Sequence, residues 1–329
     1  MVKHWFLLIV PERAWAAALF GLVAWLALAA FGIVSMGPHV PEGSSGVVGT
    51  SLFFASMNVL AVLVCAYVLR RCAALVDELP LKAGGSSPDA LKRELTHLPL
   101  KEVVGACATA VLAGTGHLMI LYGTVADLPA AAFEPARIPT TVGTLLTWFV
   151  VVHMVWAFMR NAFVFSEVGA RQLEIDLLQP RRLVPVGRAA LMPTLALIST
   201  QLMYPLLSLD GNFAAGASLP GFFATLGALV FLFLRTVWPV HRQLQQLKEA
   251  QLDAVDAEVA LLRGAGDVET AAALERLNPL LTYRSHVENA SVWPVTFTAI
   301  TRWSIYLLLP PLTWVGAALI EILVDAALE

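Results

Sequence analysis

The side chains with chemical potential in this sequence are few, and they lie inside apolar runs. Asn58, His117, Ser199, Thr200, Gln201 and Thr225 all sit in stretches free of Asp, Glu, Lys and Arg. Amide, imidazole and hydroxyl groups in such surroundings do one of two things. They tie helices together, at ~0.6 kcal/mol per bond on average, or they line a path for an ion or polar solute. Ser199-Thr200-Gln201 stands four residues before Pro205, whose missing N–H frees the Gln201 carbonyl. A carbonyl released at membrane depth is tolerated inside protein or beside water, and interrupted helices build ion and substrate sites for that reason. Both readings stay open at this point.

Other constellations fail on context. His117 and His153 invite a shared haem, but the segments carrying them run in opposite directions, which leaves them ~12 Å and ~20 Å from the outer end. Ligands of one haem need nearly equal depth. Thr140-Thr141-Val142-Gly143 opens like a potassium filter, yet Thr144-Leu145 follows it. Gly43-Ser44-Ser45-Gly46 has the look of a nucleophile turn, without a histidine base to serve it. His97 beside Glu94 reads as a solvated face. Paired carboxylates, metal-ligand clusters and nucleophile–base pairs are missing, so an enzyme is not expected, nor a catalytic residue, cofactor or metal. The first six apolar windows also hold no Asp or Glu, the groups that proton- or sodium-coupled transport usually needs.

Such residues need a frame of membrane helices. The 329 residues are 58% hydrophobic and 14% charged, with a mean hydropathy of +0.74. A soluble domain carries about 25% charged residues. The net charge of −3 offers no basic surface, so nucleic acid is excluded as a partner. Charge-free windows run over 14–41, 43–69, 103–126, 138–159, 189–209, 211–234 and 303–320. A crossing helix needs roughly 20 residues. The spacing therefore predicts an all-α, polytopic integral membrane bundle of six to seven transmembrane helices. The spans are 14–36, 49–70, 103–125, 138–160, 188–209 and 219–239, which places the bundle in 1–239. A C-terminal segment, 293–329, holds a seventh, 303–324, that spans or re-enters because Pro310-Pro311 breaks it. Residues 4–10 read as an interfacial anchor.

Basic residues set the orientation. Every Lys and Arg except Arg137 falls before span 1, between spans 2 and 3, between spans 4 and 5, or after span 6. Cytoplasmic loops carry that excess, so the N-terminus is placed inside and the C-terminus on the opposite side. Cys65, Cys72 and Cys107 then face no oxidising compartment, and no disulfide is expected. Asn289-Ala290-Ser291 falls on the same inner side and is a chance match to the glycosylation pattern.

The inner loops hold most of the soluble mass. Residues 165–187 read as an interfacial helix, with Arg181-Arg182 at the headgroups. Residues 240–292 read as a cytoplasmic helical hairpin. Val240, Leu244, Leu247, Val255, Val259 and Leu262 recur at helical spacing, Gly264 ends the first helix, and Asn278-Pro279 stops the second. A lone hairpin buries little surface, which favours a homo-oligomer or a cytoplasmic protein partner at 240–292. Asn58, His117 and Gln201 all fall ~12–13 Å below the outer end of their spans, with Thr225 slightly shallower, and so form one polar layer. Two functions remain: a channel or passive transporter lined by that layer, and a scaffold or signalling component that recruits a partner through the hairpin.

Overall fold

The computed structural model describes residues 1–36, 48–123, 126, 128–134, 137–210, 215–264, 271–295, 298, 300, 301, 303–309, 312, 313, 315, 316 and 319. Hydrocarbon offers backbone groups no water to bond, so apolar segments meet their own amides by coiling. The elements in chain order are β1 (Val2–Lys3), α1 (Trp5–Ile9), α2 (Ala14–Met36), α3 (Val48–Leu75), α4 (Pro88–Thr96) and β2 (His97–Leu98). They continue with α5 (Leu100–Tyr122), α6 (Leu128–Ala132), α7 (Ile138–Arg171), α8 (Val184–Gln201), α9 (Ala215–Gly264) and α10 (Ala271–Asn289). Short 3-10 turns cover Val76–Glu78, Pro180–Leu183 and Tyr204–Asp210. The fold is all-α apart from the two-residue strands. Among the described residues five helical stretches are long and apolar enough to cross a membrane: Ala14–Ser35, Val48–Glu78, Leu100–Tyr122, Ile138–Arg171 and Pro180–Leu207.

Two helices form the centre. α3 packs against α2, α7 and α8, while α7 packs against α5, α3 and α9. The core joins Ala61, Cys65 and Leu69 of α3 to Met154, Ala157 and Phe158 of α7, with Leu197 and Leu232 closing it from α8 and α9. Small residues at the crossings let backbones approach closely. A Cβ on Gly143 would meet the Phe54 ring at 2.5 Å, and one on Gly32 would meet Ser51 Cβ at 2.7 Å and its Cα at 3.3 Å. α2 and α5 lie at the rim and leave Leu22, Leu26, Val111, Leu112 and Ile120 outward, the faces expected to meet lipid.

Several expected boundaries move. The interfacial helix over 165–187 does not form. α7 instead runs on to Arg171, Leu173 makes an isolated bridge to Leu81, and Leu173 and Leu177 are buried rather than laid on an interface. The Lys82 amide donates to the Gln172 carbonyl at 2.8 Å, and the Glu174 amide to that of Pro80 at 2.8 Å. These tertiary bonds outcompete another helical turn. The regular α-helix of span 5 ends at Gln201, before the expected 209, and a 3-10 turn over Tyr204–Asp210 carries the helical stretch on around Pro205. Pro279 does not stop α10, which passes through it to Asn289 with the Thr282 hydroxyl donating to the Asn278 carbonyl at 2.8 Å. Residues 37–47, 265–270, Pro310 and Pro311 lie outside the described residues, as do the Gly43–Gly46 turn and much of 303–324.

Gly32 tests the packing. Ser51 Oγ could rotate away, but its Cβ and Cα are fixed by the α3 backbone and cannot. Gly32→Val is expected to cost about 1–3 kcal/mol, read as an earlier midpoint in detergent unfolding, whereas Gly116→Ala, which meets nothing within 4 Å, should leave the midpoint in place.

Candidate functional site

The polar layer resolves into three separate ties. Asn58 on α3 donates to Thr147 Oγ1 of α7 at 2.9 Å and to the Phe54 carbonyl at 2.8 Å. Trp148 of α7 donates its indole N–H to His117 Nδ1 of α5 at 2.9 Å. Gln201 of α8 donates to Thr225 Oγ1 of α9 at 3.1 Å. Each tie joins one pair of helices, and the structure brings Asn58, His117 and Gln201 together at no common point. Ser199 and Thr200 bond their own helix, to the Ala196 and Leu197 carbonyls at 2.7 Å each. His153 is held elsewhere, with Nδ1 at 2.8 Å from the Phe149 carbonyl and Nε2 3.6 Å from Cys107 Sγ. A proton on Nδ1 leaves Nε2 to accept from the thiol. The Thr140–Gly143 run lies within the first two turns of α7, coiled rather than extended as a filter would be.

One tie is incomplete. With both amide hydrogens of Asn58 committed, Oδ1 is buried without a hydrogen-bond partner among the described residues, as is Ser51 Oγ seven residues earlier on α3. Both residues line a small cavity between α2, α3 and α7, walled by Leu28, Phe31, Phe54, Val142 and Leu146, with a volume of about 30 Å³. That is room for a water or two.

The larger polar assembly lies at the end of the bundle that carries the basic segments. Arg160 of α7 is its bracket, giving Nη2 to Glu94 of α4 at 2.8 Å and Nη1 to Glu102 of α5 at 2.9 Å. The sequence had Glu94 beside His97; the structure turns Glu94 to Arg160 instead. The signal was available, since Arg160 closes an apolar span and an isolated guanidinium there needs a counter-charge. Lys92 meets Asp77 at 2.6 Å and Arg188 meets Glu78 at 3.6 Å. Arg137, at the other end, pairs with Glu134 at 2.9 Å and lies over the Tyr122 ring at 5.4 Å.

Beyond the basic end, α10 lies along α9. Arg284 donates to Asp256 at 2.7 Å and to Glu288 at 2.9 Å, and its hydrogen bond holds the Asp256 carboxyl below the usual range. Lys248 donates to the Glu288 and Ala290 carbonyls at 2.5 Å and 3.2 Å. The C-terminal segment joins the bundle through Trp303, whose indole N–H donates to Thr194 Oγ1 at 2.9 Å and whose ring stacks on Phe233. The sequence reading missed both Thr194 and Trp303, because a hydroxyl and an indole at helix surfaces look like every other one until the helices are docked. Compared with known proteins, the chain matches no family model, no curated protein and no solved structure.

Arg160 is mostly shielded while Glu102 is also largely covered, so removing the guanidinium strands a carboxylate. Arg160→Gln is expected to destabilise the protein by about 2 kcal/mol, and adding Glu102→Gln should recover part of that loss in the same unfolding titration.

Proposed function

We propose that the protein is a non-enzymatic membrane scaffold that presents a helical arm to a protein partner on the cytoplasmic side. The observation that carries the reading is the length of α9. Its 50 residues extend ~75 Å at 1.5 Å each, more than twice the ~30 Å hydrocarbon layer. In this reading residues 219–239 make a sixth crossing and 303–324 a seventh. The rest of α9 and α10 form the arm of 240–292 inside, with the N-terminus on the same side and the C-terminus outside.

The arm keeps an unused face. Val255 and Val259 of α9 are buried, as is Val287 of α10. Leu247, Ala250, Ala254, Ala257 and Leu261 remain exposed. They recur at alternating three- and four-residue steps, the seam that a second helix fills in a coiled coil. Alanine at its middle positions permits close approach. Glu249, Asp253 and Glu258 flank the seam and favour a helix with basic edges. Crosslinking of the full-length protein in membranes should capture a helical partner at this seam, and Leu247→Glu with Leu261→Glu should abolish the capture. Finding only α9-to-α9 crosslinks would overturn recruitment and make the seam a homo-oligomer contact.

A channel is the second reading, favoured by the unmatched Asn58 oxygen beside a cavity at membrane depth. It would use Asn58, His117, Ser199, Thr200, Gln201 and Thr225 in an oligomer. Ion flux in liposomes that falls severalfold with Asn58→Leu and Gln201→Leu together supports it; flux indifferent to both counts against that lining.

A further inference from the structure

Three kinds of contact hold the N-terminal residues at the basic end. β1 pairs antiparallel with β2, Val2 opposite Leu98 and Lys3 opposite His97, and the His4 amide donates to the Thr96 carbonyl at 3.0 Å. Phe6, Leu7 and Val10 enter the core, Phe6 completely. Arg70 of α3 donates to the carbonyls of Val10 and Pro11. The seat is short, two strand residues and a five-residue helix, so the segment can leave without dismantling the bundle.

His4 is the anomalous member. It is 3% exposed, and its Nε2 has no hydrogen-bond partner among the described residues. The groups facing it are His97 from β2 and His153 and Arg160 from α7. Arg160 is itself committed to Glu94 of α4 and Glu102 of α5, His153 to Cys107 of α5, and His97 Nδ1 lies against the Thr96 hydroxyl and the Arg93 carbonyl. Trp5, the next residue, lies edge-on to His153 at 6.2 Å. A neutral imidazole is at home here. An imidazolium would find a guanidinium and two imidazoles, and no carboxylate bonded to it among the described residues.

We propose that residues 1–11 form a detachable strap, seated across the basic end while His4 is neutral and released when His4 takes up a proton. The inference goes beyond the scaffold reading and stands or falls separately from it. Burial, then His97, His153 and Arg160, hold the seated imidazole down at about 4. Once released it returns to the ordinary value of ~6.5. The released strap therefore binds a proton first as the pH falls. Seating has its full strength above ~6.5 and weakens by up to about tenfold per pH unit down to the seated value.

Amide hydrogen exchange on the full chain in lipid nanodiscs tests this. After correction for intrinsic exchange, protection at the His4, Leu7 and Val10 amides should fall about thirtyfold between pH 7.5 and 5.0, with the α7 core around Phe158 unchanged. His4→Gln should remove the dependence, and His4→Phe, which fills the same space without a titrating nitrogen, provides the comparison if the glutamine variant does not fold. A fall of less than about threefold in the unmodified protein would overturn the strap. So would an equal fall in the folded variant, which would assign the titration to a group other than His4.

Discussion

Backbone amides in hydrocarbon have no water to bond, and this chain meets that constraint by coiling wherever it is apolar. The consequence reaches the side chains. Once every amide is spent within its own helix, a buried polar side chain must find another side chain or a spare carbonyl. Asn58 finds Thr147, His117 finds Trp148, and Gln201 finds Thr225. Two of these partners, Thr147 and Trp148, are neighbours on α7, one turned to α3 and the other to α5. α7 thus serves as a strut that ties both sides of the bundle, and its extension to Arg171 places Arg160 where α4 and α5 must close against it.

The two ends of the bundle follow opposite rules. At one end Arg137 is the lone cation among the described residues and is met locally by Glu134. At the other, N-terminal, α3–α5 and α7–α8 segments meet, and ion pairs, strand pairing and loop bridges knit them together. Charge sorting in the sequence and contact density in the structure therefore mark the same end. In the proposed reading that end is the cytoplasmic one, because a basic excess belongs on that side.

The membrane frame was legible because it rests on composition and run length, which survive without knowledge of neighbours. The helices at 14–36 and near 49–70 and 138–160 emerged close to their expected starts for that reason. What stayed hidden depended on long-range competition. Residues 165–187 have the pattern of an interfacial helix, yet bonds to Pro80 and Lys82 claim the backbone after Arg171. Pro279 reads as a stop, yet α10 lies against α9 and tolerates the missing bond. The polar residues were found by type, but which partner each takes was not encoded in spacing. Depth alone placed Asn58, His117 and Gln201 in one layer; the structure places them in three different helix pairs.

The central claim is that the basic segments share one side of the bilayer. Single cysteines at Asp89, Arg181 and Phe133, each in a background lacking Cys65, Cys72 and Cys107, can be challenged with a membrane-impermeant thiol reagent from either face. The account requires positions 89 and 181 to react from the cytoplasmic side and position 133 from the other. Reaction of 89 and 181 from opposite faces would contradict it.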